Sequence, residues 1–319
     1  MSANFELYLI FESASELDNI DKSRLEKWGI NIYLYPQQDK LINLLPSPTV
    51  IIYSYYYTYY QFLPLIKTNQ NAMLIADTVD LHWLREERGI PYLNGLTPGK
   101  VAGNKEKEKQ SYHAADKIWA VTEVDRSKIL AEIPNAKIDI VSNIHILCSQ
   151  PYYDNQSNNL FFIGSFLHRP NITAVLYIAQ TIFPQVKASI PNVQFFLAGS
   201  NMPDEVKALD KIEGITIYEN LTDEALDNLY EQVFIVVAPL LFGAGIKGKI
   251  TEAITKLKPV ITNKIGNEGI NLQHEKEGLI VENDQMASIV CKALKREYRK
   301  ERKKRCDRKL TKDLRENVM

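Results

Sequence analysis

Three short runs constrain this chain more than anything else in it: LFFIG (160–164), VQFFLAG (193–199) and VFIVVAP (233–239). Each is almost unbroken in apolar residues, and each ends in glycine or proline. A strand with one wet face alternates polar and apolar residues, whereas a continuous run has both faces covered. Helix-type segments lie between the runs, at about 171–189 and near 203–209, with Asn171 placed as an N-cap after Pro170. In TDEALDNLYEQ (222–232) Thr222 is an N-cap before an acidic first turn. PVITN and EGLIV read as further strands, with a helix from about Asp284. Buried strands alternating with helices predict a parallel, doubly wound, Rossmann-like α/β domain.

The first half has the same grammar in a less regular form. FELYLIF, INIYLY, TVIIYSY, AMLIAD and KIWAVT are strand candidates, and SELDNIDKSRLEKWG and EVDRSKILAEI are helical ones. A second Rossmann-like domain is the economical reading. The polar, aperiodic stretch 145–159 reads as a linker. The expected domains are therefore 1–150, 151–290 and a basic, helical tail at 291–319. The tyrosine cluster SYYYTYY (54–60) reads either as local aromatic packing or as a stacking surface for a ligand.

Charge and cysteine content narrow the function classes. The formal net charge of −1 conceals a segment, 292–319, with thirteen Lys/Arg against five Asp/Glu, on a body of net charge −9. Such a segment is either a solvated helix or a contact for an anionic membrane surface. The acidic body argues against nucleic acid as a partner. No run approaches the roughly 18 apolar residues of a membrane span. Acidic residues stand near the start where a signal peptide carries basic ones. Cys148, Cys291 and Cys306 are odd in number and far apart, which fits a reducing compartment rather than a disulfide or zinc framework. A cytoplasmic protein, at most docked on the inner face of the membrane, is expected.

The stretch APLLFGAGIKGKITEA (238–253) carries the chemistry. Ligands of parallel-sheet domains bind where strands end and helices begin. Gly243, Gly245 and Gly248 leave backbone amides unshielded at a helix N-terminus, which attracts anions. Lys247 and Lys249 add positive charge, and Glu252, one turn further on, suits a pair of ribose hydroxyls. The same residues also read as a glycine turn with solvated lysines. A second loop, IGSFLHRPN (163–171), places Gly164 and Ser165 at the same level, followed by His168 and Arg169.

The order GSFLHRPN, FPQVKASIPNVQFFLAG and APLLFGAGIKGKITEAITKLKPVITNKIGNEGI, over about 130 residues, resembles the donor half of retaining GT-B glycosyltransferases. The type is group 1, or family 4, related to bacterial mannosyl- and rhamnosyl-transferases. LIADTVDLHWLREER is similar to a segment of bacterial members, and SNIHI to the segment closing their N-terminal domain. The resemblance implies a GT-B fold, two Rossmann-like domains with parallel sheets facing across a cleft. It implies a hexosyltransferase-class enzyme moving a sugar from a nucleotide diphosphate sugar to a carbohydrate, lipid-linked or protein acceptor. The nucleotide sugar is then a substrate of UDP, GDP or dTDP type, and no cofactor is expected.

Carried over by position, the resemblance gives Glu252 the ribose and Lys249 the diphosphate. Gly164 and Ser165 face the phosphates, joined by Gly245, Ile246 and Lys247, and Arg169 substitutes for a basic residue of that loop. Gly199, Asn220 and Leu221 form the base pocket, and Asp80 and His82 face the donor sugar. Asp80, His82 and Lys249 are the catalytic candidates. No paired-aspartate signature of a metal-held diphosphate occurs, so metal independence is expected. The sequence departs from the family where Ala244, eight residues before Glu252, replaces a glutamate common in relatives. The glycine-rich loop expected after FELYLIF is also absent. These departures leave a second reading open: a silent GT-B-like protein that assists a partner transferase or binds an acceptor chain.

Overall fold

The computed structural model describes residues 6–11, 22–34, 50–68, 71–143 and 157–295. Most of the expected linker and tail, and the start of the first helical segment, lie outside the described residues. The chain forms two compact units. The first draws its described residues from Met1–Thr78, Lys107–Trp119 and Asn135–Asp139, and the second from Val79–Glu106, Ala120–Pro134 and Ile140–Met319.

In the first unit, β1 (Leu7–Phe11) pairs in parallel with β2 (Ile30–Leu34). A separate sheet has the order β3 (Val50–Ser54), β4 (Met73–Asp77), β5 (Lys117–Ala120), β6 (Ile138–Ile140). Tyr53, Leu74, Ile75, Ala76 and Ile118 are buried in it. The buried Tyr53 hydroxyl donates to the Ser111 carbonyl at 2.6 Å, so its polar end is satisfied. The tyrosine cluster turns from β3 into the Tyr56–Gln61 helix. Tyr55 and Tyr57 stack at 5.3 Å, and Tyr59 lies against Tyr53 at 5.4 Å and edge-on to Tyr60 at 5.1 Å. These contacts follow the packing reading of the cluster.

The second unit holds a six-stranded sheet: β7 (Leu160–Ser165), β8 (Phe195–Ser200), β9 (Ile215–Glu219), β10 (Ile235–Ala238), β11 (Val260–Thr262) and β12 (Leu279–Ile280). Every neighbouring pair is parallel, and the order across the sheet is β9-β8-β7-β10-β11-β12. Counted within the unit this is the Rossmann order, and the winding reverses between β7 and β10. Alternate residues of each strand enter separate cores. Leu160, Phe162, Phe195, Leu197, Ile235 and Val237 pack into one. Phe161, Phe196, Ala198, Val236 and Ala238 pack into the other. Covering both faces is what the unbroken apolar runs require, and each fully buried phenylalanine contributes about 1.5–3 kcal/mol. Two Rossmann-like bodies with parallel sheets are thus present, as the sequence predicts.

Two local expectations are corrected. The helix after β7 starts at Arg169 with His168 at the N-cap position, so Asn171 is inside the first turn and caps nothing. Pro170 occupies a first-turn position, where its missing N–H costs no hydrogen bond. The stretch to Ser189 is also not one α-helix. Between Arg169–Tyr177 and Phe183–Ser189 the chain makes a π turn, Ile178–Ile182, with the Phe183 amide donating to the Ile178 carbonyl. Pro184 cannot donate to the preceding turn, and the wider winding accommodates it. Thr222 caps its helix as expected, accepting from the Ala225 amide at 3.2 Å.

Candidate functional site

All the residues that converge on the glycine motif belong to the second unit. β7 ends at Gly164 and Ser165, which register with Gly199 and Ser200 of β8. A Cβ on Gly199 would lie 2.0 Å from the Gly164 carbonyl oxygen, so only glycine permits this approach. A Cβ on Gly164 would in turn meet the Asn171 amide nitrogen at 2.6 Å. Asn171 therefore lies directly over the strand end and is buried.

Asn171 links two loops. Its Nδ2 donates to the Ser165 carbonyl at 2.7 Å, and its Oδ1 accepts from Lys249 Nζ at 2.8 Å. The amide orientation is fixed by chemistry, since an ammonium only donates and a carbonyl only accepts. Lys249 Nζ also lies 5.4 Å from the centre of the Phe162 ring. Burial, followed by the nearby Lys247 charge, lowers the Lys249 pKa to about 8. Lys249 sits in the first turn of the Gly248–Thr255 helix, where the Gly248 and Lys249 amides precede the first intrahelical bond, from the Ile250 amide to the Lys247 carbonyl at 2.8 Å. The cation and these amides together face the reversal point between β7 and β10, which suits an anion.

The two lysines of the motif have different roles. Lys247 is buried, and its Nζ donates to the Gly245 carbonyl at 2.7 Å and lies 4.0 Å from Glu268. Burial lowers its pKa to about 8, against the upward pull of Glu268. Gly245 has φ +64°, and a Cβ there would meet the Asp80 Cβ at 2.8 Å. The loop backbone thus closes directly on the segment containing Asp80 and His82.

Asp80 accepts from Arg85 Nη1, and its Oδ1 lies 3.3 Å from His82 Nδ1. His82 opens the His82–Gly89 helix and is buried. Burial first, then the Arg85 charge, lowers its pKa to about 4, although Asp80 opposes the shift. It is a neutral hydrogen-bonding group near pH 7. His168, exposed at the surface, lies in the same field: partial desolvation, then Arg85 and Lys249, lowers its pKa while Asp80 raises it.

Glu252 is half-buried on the same helix as Lys249, one turn on. Burial raises its pKa, Lys256 lowers it and Asp227 raises it. The buried Tyr230 hydroxyl is beside this carboxylate, without the alignment of an ordinary hydrogen bond.

Of the residues singled out in the sequence, Gly164, Ser165, Gly199, Gly245, Lys247, Lys249, Asp80 and His82 form one continuous neighbourhood. Ile246 is half-buried within the loop. Arg169 does not reach Lys249's partners. It is exposed, and its Nη1 lies 3.8 Å from Glu205. Asn220 has φ +55° and donates its amide to the Gly199 carbonyl at 2.9 Å, and Leu221 packs against the core that contains Tyr230. Sequence reasoning missed Arg85, Arg88, Asp125 and Glu268, and it saw Asn171 only as a cap. No local spacing marks them, because Arg88 and Glu268 meet across 180 residues.

Residues 157–296 match the family model described as Glycosyl transferases group 1. The matched stretch contains β7 to β12, Asn171, Lys249 and Glu252. The chain is 27% identical over 152 residues to a 44.6 kDa protein of the cps region of Klebsiella pneumoniae, covering 44% of this chain and 39% of that protein. Among solved structures, HepE from Anabaena superposes with a TM-score of 0.65 at 12% identity, covering 92% of this chain and 91% of that one. Sucrose-phosphate synthase from Thermosynechococcus elongatus gives 0.62 at 16% identity, covering 94% and 75%. TarM from S. aureus gives 0.58 at 14% identity, covering 84% and 54%. The chain thus spans about half the length of TarM and less of the Klebsiella protein. The chain has the GT-B fold of these structures.

Proposed function

We propose that this protein is a glycosyltransferase that moves a sugar from a nucleoside diphosphate sugar to an acceptor hydroxyl, with retention and without a metal. The observation that carries this reading is the Lys249–Asn171–Ser165 chain. It ties a cation and a helix N-terminus to the end of β7, where the sheet reverses. A departing diphosphate gains negative charge as the glycosidic bond breaks. Prepositioned amides and an ammonium stabilise that charge without reorganising. Lys249 takes the part a metal plays elsewhere, and Glu252 receives the ribose hydroxyls. Neutral His82, held near Asp80, hydrogen-bonds the transferred sugar.

The group 1 match over 157–296 supports the transfer class. The solved complexes of HepE with UDP and glucose, and of TarM with UDP, support a nucleoside diphosphate as leaving group. The protein works in the cytoplasm, and the basic segment 292–319 docks it on anionic membrane, where each cation contributes about 1 kcal/mol. The deciding experiment is calorimetry with UDP, GDP and dTDP, followed by transfer assays with the sugar nucleotide of whichever base binds. Binding by one base at micromolar to millimolar concentration is expected. No binding by any of the three overturns the reading.

A further inference from the structure

The glycine loop is held from beneath by one short helix. At the end of the His82–Gly89 helix, Arg88 Nη1 donates to the Gly243 carbonyl at 2.7 Å and to Glu268 Oε1 at 2.8 Å. Its Nη2 donates to Glu268 Oε2 at 2.7 Å. The adjacent Gly89 packs on the Phe242 ring, where a Cβ would lie at 3.2 Å, and Tyr92 stacks on the same ring at 5.6 Å. At the other end of the helix, Asp80 meets Gly245. Glu268 thus faces two cations, Arg88 and the buried Lys247, and Lys247 holds the Gly245 carbonyl. Asp125, buried behind them, adds a further carboxylate to this surrounding. Burial pushes the Glu268 carboxyl up, but the Arg88 hydrogen bonds and the Lys247 charge outweigh it, leaving its pKa lowered.

We infer that Arg88, clamped by Glu268, is a positioning residue that sets the conformation of the 243–248 loop and so presents its amides to the diphosphate. The planar guanidinium makes this possible, since its donors engage a carboxylate and a carbonyl at once. A lysine brings one nitrogen in place of two and loses the parallel Nη2 bond that fixes the plane of the clamp against Glu268. The ion pair itself contributes little net stability against its desolvation, but removing one partner strands the other. Its value lies in registry: Gly243 and Gly245 have φ of +152° and +64°, so the loop has other conformations open to it unless something outside selects one.

The inference rests on the nucleotide reading above, so its test has an arm that does not. Amide hydrogen exchange of the ligand-free protein reads the 243–248 loop directly. Arg88→Lys and Glu268→Gln should speed exchange there by about tenfold or more, with β7 and β10 unchanged. In the same variants, affinity for the nucleoside diphosphate that wild type binds should fall by about tenfold, while the parent nucleoside stays within about twofold. Arg88→Ala is a harsher variant, and its melting curve shows whether it folds. Unchanged exchange at 243–248 in the folded Arg88→Lys and Glu268→Gln proteins overturns the inference. Equal losses for nucleoside and diphosphate also overturn it, because a general loosening would do that. If wild type binds no nucleotide, the nucleotide reading fails and the exchange arm alone decides the clamp.

Discussion

Lys249 Nζ and Asn171 Oδ1 are 2.8 Å apart, and this bond joins the start of the Gly248–Thr255 helix to the loop after β7. It holds a half-buried ammonium over the end of a parallel strand. The lowered pKa of that ammonium, about 8, follows from the same burial.

Lys249→Ala should weaken nucleoside diphosphate binding and also lower kcat by about 10²–10³, since the cation's attraction grows as the departing diphosphate gains charge in the transition state. Isothermal calorimetry and steady-state kinetics check this. Loss of transfer with unchanged affinity would move the cation away from the leaving group.

Nucleoside diphosphate affinity should fall as pH rises through about 8, by up to about tenfold per pH unit, as Lys249 loses its proton. Lys249→Arg stays charged and should flatten this fall, and any remainder belongs to Lys247, which also titrates near 8. The stability of the ligand-free protein should run the other way. A lysine whose folded pKa is below its unfolded value opposes folding while charged. Stability therefore rises with pH from about 8 towards the ordinary lysine range. Urea melts across that window give the sign.

Glu252→Gln separates binding from stability. Burial raises the Glu252 pKa, so the folded state holds its proton more tightly than the unfolded chain, and stability is lost as pH rises from the ordinary carboxyl value. The amide variant should therefore melt higher near neutral pH. It should bind nucleosides and nucleotides about tenfold more weakly, having exchanged a charged acceptor for a neutral one. Unchanged nucleoside affinity would remove Glu252 from the ribose.

His82→Gln should lower kcat by about 10²-fold while nucleotide affinity changes little. Because His82 titrates near 4, it remains neutral between about pH 5 and 8, and its replacement should leave the shape of the pH–rate profile in that range unaltered. A lost limb near neutrality would mean that His82 exchanges a proton during turnover.

Gly245→Ala should destabilise the protein by about 1–3 kcal/mol, because φ +64° strains any residue with a Cβ and the methyl would press on Asp80. Denaturant melts measure this. Gly248→Ala, where a Cβ meets nothing within 4 Å, is the control and should be nearly neutral in stability.

The sequence by itself determined the buried strands of the second unit and their parallel, doubly wound character, whereas the order across the sheet came from the tertiary structure. LFFIG, VQFFLAG and VFIVVAP are apolar on both faces, and that pattern depends only on the chain's own period and hydropathy. The same local logic marked the glycine motif with Lys249 and Glu252, and the Thr222 cap. It misread Asn171, because capping chemistry describes only neighbours in the chain. Tertiary structure decided that Asn171 bridges Ser165 to Lys249, and that Lys247 turns inward while Lys249 turns to the strand end. It also brought Asp80 and Arg88 from the first hundred residues to the loop near 245. Two lysines two residues apart look alike in a sequence. Their different partners are set by burial and by contacts from segments more than a hundred residues away, where no periodicity reaches.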